Sequence, residues 1–196
     1  MFHKIFAILV IVFLSPIFLF TSILIIYRDG FPIFFKQNRV GKNNKIFKMY
    51  KFRTMVKNAE KILQSDKDLY NQYVKNGYKL DSKIDPRILP FGNFLRSSSI
   101  DELPQFINVL KGDMNVVGPR PVVEKELIDL YGSKKDIYLS LRPGVTGLWQ
   151  VSGRSNIKNE DRVRLDNEYY IKRNLLFDIK IIFKTVFEVF KRTGAY

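Results

Sequence analysis

The stretch "IFAILVIVFLSPIFLFTSILII", residues 5–26, decides how the chain begins its fold. These 22 residues carry no charge, and 17 of them are Leu, Ile, Phe or Val. At roughly −0.3 to −0.6 kcal/mol for each such residue, transfer into a bilayer is favourable by about 5 to 10 kcal/mol as an upper bound. We therefore expect this segment to enter a membrane.

Ser15 and Pro16 stand near the middle of this segment. An unbroken helix of this length would measure about 33 Å, enough to cross a hydrocarbon core of about 30 Å. Proline lacks an N–H and clashes with the preceding turn, so a break here would leave two halves that each enter one leaflet and turn back. Lys4 and Arg28 flank the two ends, so the residues leave a spanning helix and a re-entrant pair both open. A cleaved signal peptide is disfavoured, because the run is too long and has no small-residue cleavage site.

The composition restricts the chemistry of the remaining chain. The 196 residues suffice for one domain with a core plus a membrane element. Lys and Arg number 33 against 19 Asp and Glu, and this charge of +14 favours nucleic acid, acidic lipid or a phosphorylated substrate as partner. There is no cysteine and a single histidine, His3, which excludes thiol chemistry and argues against a Ser-His-Asp triad or a histidine metal site.

Residues 32–55 predict a β-hairpin that turns at Gly41–Lys42–Asn43–Asn44. Basic and aromatic residues alternate over residues 45–53, a pattern that suits base stacking with phosphate neutralisation. The same pattern suits a strand beside a membrane or an ordinary solvated strand. A membrane-tethered nucleic-acid-binding protein is therefore the alternative function. The polar residues 56–85 predict a short helix followed by a loop.

The segment "SSSIDELPQFINVL", residues 97–110, contains the adjacent carboxylates Asp101 and Glu102, which we call the carboxylate pair. Ser99 and Glu102 fit a helix capping box, whereas Pro104 fits better if Asp101 is the cap. In the catalytic interpretation, a helix start keeps Asp101 ionised as a nucleophile. Glu102 would then hold a hard cation such as Mg²⁺ through oxygen. We predict that the helix ends at Gly112.

Three arginines are candidates for binding phosphate. Arg96 is close to the carboxylate pair in sequence, and Arg120 lies between Pro119 and Pro121, which hold it on a stiff, extended backbone after a buried strand. Arg142 opens the Gly-punctuated segment 141–154. A guanidinium fork matches phosphate geometry, so these side chains would offset negative charge if the fold brings them together.

The chain ends in an apolar helix with a narrow polar stripe, made by Asp178, Lys184, Glu188 and Lys191. So wide an apolar face is typical of a core helix or of a helix in a membrane interface.

An ordered set of motifs resembles the bacterial sugar transferases, monotopic phosphoglycosyl transferases that start glycoconjugate assembly on a polyprenol phosphate. The motifs are the apolar N-terminus with Ser15–Pro16, "IFKMYKFRTM" (46–55), "DPRI" (85–88), "FGNFLRSSSIDELPQFINVLKGDMNVVGPRPVV" (91–123), "LRPGVTGLWQVSGR" (141–154) and "FDIKIIFKTVFEVFKRTGAY" (177–196). The resemblance covers nearly the whole chain.

The resemblance implies a reaction and a role for each candidate residue. Asp101 would attack the β-phosphate of a UDP-sugar and expel UMP, and a polyprenol phosphate, such as undecaprenyl phosphate, would then attack the covalent phosphosugar intermediate. Glu102 would bind Mg²⁺. Arg96, Arg120 and, by weaker analogy, Arg142 would face phosphates. Trp149 stands where relatives often have a small residue, and the segment 56–84 matches no motif.

The resemblance also implies an α+β fold in two parts. Residues 1–30 would form a re-entrant membrane hairpin broken at Ser15 and Pro16, and residues 31–196 a catalytic domain with a β-hairpin, several helices and C-terminal interfacial helices. The enzyme would be a minimal form, monotopic on the cytoplasmic face of the bacterial inner membrane. Its partners would be the UDP-sugar, the polyprenol phosphate, membrane lipids and other glycan-assembly enzymes, and not nucleic acid.

Overall fold

The computed structural model describes residues 1–76, 80–82, 84–153 and 159–191, which contain ten helices and four strands. The helices are α1 (Phe2–Phe13), α2 (Ser15–Asp29), α3 (Ala59–Ser65), α4 (Lys67–Lys75), α5 (Gly92–Ser97), α6 (Gln105–Lys111), α7 (Glu124–Tyr131), α8 (Lys135–Ser140), α9 (Asn159–Lys172) and α10 (Leu175–Lys191). The strands are β1 (Phe34–Val40), β2 (Ile46–Phe52), β3 (Asn115–Val117) and β4 (Gly144–Thr146). The predicted α+β class is confirmed.

Helices α1 and α2, here called the helix pair, are bent by 63° at the predicted break. Leu14 alone separates them, and Pro16 stands in the first turn of α2, where no N–H is required. The carbonyl of Val12 cannot accept from Pro16, but it accepts a backbone N–H at the C-terminal cap of α1. Ser15 Oγ donates to that carbonyl at 2.8 Å, so the bend leaves it satisfied. The bend thus falls where Ser15 and Pro16 were predicted to break the apolar segment, and a break within a membrane stays a prediction.

The helix pair has one packed side and one uncovered side. Ala7 and Ile25 are fully buried, whereas Val12, Phe13 and Phe20 are among many exposed apolar side chains. In the part of the chain that the structure describes, no single helix is both long and apolar enough to cross a bilayer; α1 and α2 reach that length and composition only together. That the pair enters and leaves a membrane on one side stays a prediction.

Strands β1 and β2 form the predicted hairpin, antiparallel, with Phe35 opposite Lys51 and Arg39 opposite Phe47. Asn43 and Asn44 adopt left-handed φ values of 54° and 62° in the turn, a conformation that asparagine tolerates. Phe47 and Phe52 are 5% and 1% exposed. The aromatic rings of residues 45–53 on which bases were expected to stack are therefore largely inside the protein, which argues against the nucleic-acid alternative.

Arg53 joins the end of α2 to the hairpin. Its guanidinium forms an ion pair with Asp29 and donates to the carbonyl oxygens of Gly30 at 2.6 Å and Pro32 at 2.8 Å. Arg53 is buried, and cations at a helix C-terminus are favoured by the helix dipole. The last turn of α2 is thus fixed to the residue that follows β2.

The polar segment after the hairpin differs from its prediction. It forms two helices, α3 and α4, where one was expected, because Asp66 ends the first and starts the second by accepting from the N–H of Leu69 at 2.9 Å. After α4, Asp85 accepts from the Nε and Nη2 of Arg87, both at 2.8 Å, in a buried pair.

The core lies between the hairpin, α6, the helix pair and a short parallel ribbon of β3 and β4. Gly118 and Gly144 are required there: a Cβ on Gly118 would lie 2.4 Å from the Arg142 carbonyl oxygen. Helix α10 packs on this ribbon through the buried Ile181. Asp178 was expected on its polar stripe, but it is buried and accepts from the Tyr169 hydroxyl at 2.9 Å. The side chain of Lys191 lies outside the described residues.

Candidate active site

The carboxylate pair lies on a short 3₁₀ turn, Ile100–Glu102, and not at the start of an α-helix. Ser99 has a left-handed φ of 58° and makes no capping hydrogen bond, and α6 begins only after Pro104. Both cap interpretations are therefore wrong, because the turn that Ser99 introduces separates the acidic residues from the helix. The predicted end of α6 at Gly112, whose φ is 84°, is confirmed.

Lys51 is the partner of the carboxylate pair. Its Nζ lies 2.7 Å from Glu102 Oε1 and 3.6 Å from Asp101 Oδ2. Lys51 follows Phe47 and Met49 at alternate positions of β2, so it extends from the side of the strand that faces the core. Sequence reasoning missed this role, although a lysine on the apolar face of a strand was the available signal.

Asp101 is largely buried, at 8% exposure, and burial raises its pKa to about 6. Lys51 and Arg96 lower the pKa of Asp101, whereas the neighbouring Glu102 raises it. Burial disfavours the ionised carboxylate and the two cations favour it. The carboxylate is therefore ionised at neutral pH without being fully satisfied, as a nucleophile requires.

Arg96 is brought to the carboxylate pair, as the sequence predicted. It extends from α5, and its Nε donates to Thr54 Oγ1 at 2.9 Å. Burial lowers the pKa of Arg96, and the attraction of Asp101 partly restores it. The hydrogen bond from Arg96 to Thr54 holds the guanidinium in place through the segment that follows β2.

Arg120 lines the same cleft as Asp101 and Glu102. It is exposed, whereas the prolines on either side are buried, in agreement with a guanidinium presented by a stiff backbone. Its Cζ lies 5.6 Å from the centroid of the Trp149 ring, so it stacks on the only tryptophan.

Arg142 is not brought into the cleft, which corrects its grouping with Arg96 and Arg120. It lines a separate, smaller pocket together with His3 and Asp178, which we call the second pocket. The ribbon stands between these two spaces, because Val116 lines the cleft while Asn115 and Val117 line the second pocket. Successive side chains of a strand point to opposite faces.

The cleft has an open volume of about 2080 Å³ and two kinds of wall. One contains the carboxylate pair and the cations around it. The other is apolar and includes Phe6, Val10 and Leu14 of the helix pair and Ile182 of α10. A charged phosphate and an alkyl chain would both find complementary surface here.

The carboxylate pair is also the candidate site for a metal ion. Mg²⁺ takes oxygen ligands and is commonly held by one or two carboxylates together with substrate phosphates. Asp101 and Glu102 supply such oxygens, so the donor set fits. Among the described residues, no group of three or more acidic or histidine side chains comes together to hold an ion by itself. Ligands from a phosphorylated substrate would therefore be needed.

Comparison with known proteins identifies the family and confirms the predicted enzyme class, phosphoglycosyl transferase. A model of the family described as bacterial sugar transferase matches residues 1–192. The chain belongs to the bacterial sugar transferase family.

Three relatives illustrate the likeness. The exopolysaccharide production protein ExoY of Sinorhizobium fredii is 43% identical over 199 residues, which cover 100% of this chain and 86% of the relative. The undecaprenyl-phosphate galactose phosphotransferase of Salmonella typhimurium is 42% identical over 193 residues. The UDP-glucose:undecaprenyl-phosphate glucose-1-phosphate transferase of Escherichia coli is 37% identical over 201 residues. The last two matches each cover 97% of this chain but only 40% and 39% of those longer relatives.

Proposed function

We propose that this enzyme transfers a sugar 1-phosphate from a UDP-sugar to undecaprenyl phosphate and releases UMP, with Asp101 as the nucleophile. The observation that carries the proposal is the cleft itself, in which an ion-paired carboxylate dyad shares one space with an apolar wall that includes Phe6 and Val10 of α1 and Ile182 of α10. The names of the Salmonella typhimurium and Escherichia coli relatives support undecaprenyl phosphate as the acceptor, and the latter supports a UDP-sugar as the donor.

In the first step, an oxygen of Asp101 attacks the β-phosphorus of the UDP-sugar. A phosphorus–oxygen bond forms to Asp101, the bond from this phosphorus to the bridging oxygen breaks, and UMP leaves with that oxygen. Lys51 and Arg96 favour the ionised carboxylate that the attack needs, since both lower the pKa of Asp101. Glu102 would hold Mg²⁺, which when bound neutralises charge on the diphosphate.

In the second step, a phosphate oxygen of undecaprenyl phosphate attacks the same phosphorus. The bond to Asp101 breaks, the carboxylate is restored, and the product is an undecaprenyl diphosphate sugar. Phe6, Val10 and Leu14 would contact the first isoprene units, since burial of apolar surface favours such contact. We further propose that the reaction takes place at the cytoplasmic face of the bacterial inner membrane, where polysaccharide assembly would follow with other enzymes.

The test is release of UMP from a UDP-sugar before any lipid acceptor is added. We expect Asp101→Asn to abolish both UMP release and the phosphosugar adduct on the protein, because the amide cannot act as the nucleophile. Asp136→Asn, on the exposed surface of α8, is the control and should behave as wild type. Adduct formation by Asp101→Asn at the wild-type rate would show that another group attacks.

A further inference from the structure

The second pocket brings together cations from three distant parts of the chain. Lys42 belongs to the turn of the β-hairpin, Arg142 lies just before β4, and Arg173 lies between α9 and α10. All three are exposed and line the same cavity of about 410 Å³. A cavity lined by charges of one sign concentrates ions of the opposite sign. The second pocket therefore favours an anion, although it lies on the other side of the ribbon from the cleft.

The chain itself does not neutralise the charge of the second pocket. In the described ranges of the chain, no carboxylate forms an ion pair with any of these three cations. Asp178 is the only acidic residue on the described lining of the pocket. It is buried, accepts from the Tyr169 hydroxyl at 2.9 Å and lies 3.7 Å from His3 Nε2. The carboxylate of Asp178 is thus engaged within the wall, and the three cations remain for a ligand.

Arg173 is held in a position that suits binding. Its Cζ lies 4.2 Å from the centroid of the Tyr170 ring, and its guanidinium also donates to the Tyr170 carbonyl oxygen. Stacking on an aromatic ring fixes the plane of a guanidinium, and its remaining N–H groups stay available. His3, on the same lining, has a buried Nδ1 without a hydrogen-bond partner among the described residues. Buried polar atoms are normally paired, so this nitrogen also indicates a place for a ligand atom.

Apolar side chains also line the second pocket. Phe2, the first residue of α1, and Leu175, the first residue of α10, both belong to the lining. Leu175 and Leu176 are 53% and 78% exposed, so their side chains have little cover from the protein. A phosphate that carries acyl chains would contact both the cations and these apolar side chains, whereas a free phosphate would contact only the cations. The combination favours a lipid headgroup as the ligand.

We propose that the second pocket binds the headgroup phosphate of an anionic phospholipid of the membrane. Arg142 and Arg173 donate to the phosphate oxygens, and the acyl chains lie against Leu175 and Leu176. A zwitterionic lipid is disfavoured, because its ammonium group would lie close to the three cations. The inference goes beyond the proposed reaction and rests only on the proposed position at a membrane. The free headgroup and a polyprenyl phosphate share the phosphate chemistry, and the experiment distinguishes these sources.

Calorimetric titration of the full chain in an uncharged detergent measures the binding. We expect dihexanoyl phosphatidylglycerol to bind saturably at one site. Dihexanoyl phosphatidylcholine should bind at least about tenfold more weakly, since the three cations favour a headgroup with a net negative charge. Glycerophosphoglycerol, the same headgroup without acyl chains, should also bind at least about tenfold more weakly, because it buries no apolar surface. Absence of saturable binding of the phosphatidylglycerol would overturn the proposal, as would equal affinity for either comparison ligand.

Arg142→Gln and Arg173→Gln should each weaken binding of the phosphatidylglycerol by about tenfold or more, the usual effect of losing a charge-assisted hydrogen bond. Arg164→Gln is the matched control and should bind as wild type: it removes the same charge, but Arg164 is exposed on α9, pairs with Asp161 and does not line the second pocket. If circular dichroism shows that Arg142→Gln is unfolded, Arg173→Gln decides. Wild-type affinity in the folded variants, or equal weakening by all three, would contradict a specific site.

The second pocket and the proposed reaction fail separately. If a short-chain polyprenyl phosphate binds more tightly than the phosphatidylglycerol and Arg173→Gln weakens both, the pocket belongs to the acceptor lipid and the phospholipid assignment is wrong. If wild type releases no UMP from any of a panel of UDP-sugars but binds the phosphatidylglycerol with the expected effect of each variant, only the reaction is wrong. If UMP is released and the phosphatidylglycerol binds no better than the phosphatidylcholine, only the pocket assignment is wrong.

Discussion

Lys51 shows how a single side chain can mark a reaction centre. It occupies the core-facing side of β2, a position where an amine is costly unless it is paired, and it is paired with both members of the carboxylate dyad. The amine holds Glu102 closely and Asp101 more loosely. Asp101 therefore keeps its reactivity while its charge is compensated.

Replacement of Lys51 tests this role. Lys51→Met removes the cation that favours ionised Asp101, so we expect the rate of UMP release to fall by about a hundredfold or more. Lys48→Met is the matched control, because Lys48 belongs to the same strand but is exposed on its other face. Similar rates of UMP release by Lys51→Met and Lys48→Met would contradict a role for the positive charge of Lys51.

Part of the site could be predicted from the sequence. The ordered motifs identified Asp101, Glu102, Arg96 and Arg120, and all four line one cleft. The position of Arg142 could not be predicted, because it depends on the side of the ribbon from which the residue emerges. The prediction that Ser99 or Asp101 caps a helix was wrong, because local sequence rules do not predict the left-handed backbone conformation at Ser99.

At the scale of elements, α9 is held to α7 by buried polar contacts. The Tyr131 hydroxyl donates to Asp166 Oδ2 at 2.6 Å, and Asp166 is 2% exposed. Burial raises the pKa of Asp166 to about 6, while Tyr131 and Arg162 lower it. Because Arg162 is on the same helix, these contacts also help to hold Arg162 beside the Trp149 ring.

The raised pKa of Asp166 predicts a pH dependence of stability. A carboxyl group with a folded-state pKa near 6 and an unfolded value near 4 stabilises the fold below about pH 4, and that contribution is lost as the pH rises through 6. Relative to Asp166→Asn, the free energy of unfolding of wild type should therefore fall between pH 5 and pH 7.5, by about 1.4 kcal/mol. Urea unfolding in detergent at both pH values measures this.

Asp161→Asn, an exposed position on α9, is the control and should show no such trend. A difference between Asp166→Asn and wild type that does not change with pH would contradict the assignment of a raised pKa.

For the whole molecule, α1 is part of the core as well as of the apolar helix pair. Phe6, Val10 and Ile11 of α1 pack on the cluster that contains Phe106 and Val109, and the predicted domain boundary near residue 30 stays a prediction. The hydropathy of residues 5–26 predicted the apolar segment, and Pro16 predicted its bend. Neither feature could predict which side of each helix would face the protein, because that depends on contacts with distant elements.

Topology can be measured directly, because the chain contains no cysteine. In a re-entrant arrangement, single cysteines at Phe2→Cys and Glu60→Cys should both react with an impermeant maleimide from the cytoplasmic side only. Labelling in inverted and right-side-out vesicles separates the possibilities, and reaction of the two positions from opposite sides would establish a spanning helix. UMP release by each variant serves as the control for correct folding.

The end of β2 and the two residues that follow it set the distance between α2 and the reaction centre. Arg53 holds the last turn of α2, while Lys51 and Thr54 hold the carboxylate pair and Arg96. The distance between α2 and the reaction centre is therefore set by the covalent chain, at about 3.3 Å per residue of extended backbone. With the helix pair in lipid, a thicker or thinner bilayer would be accommodated by the surrounding acyl chains, and the catalytic groups would keep their height above them. We therefore expect the rate of UMP release to change little between vesicles with thinner and thicker bilayers.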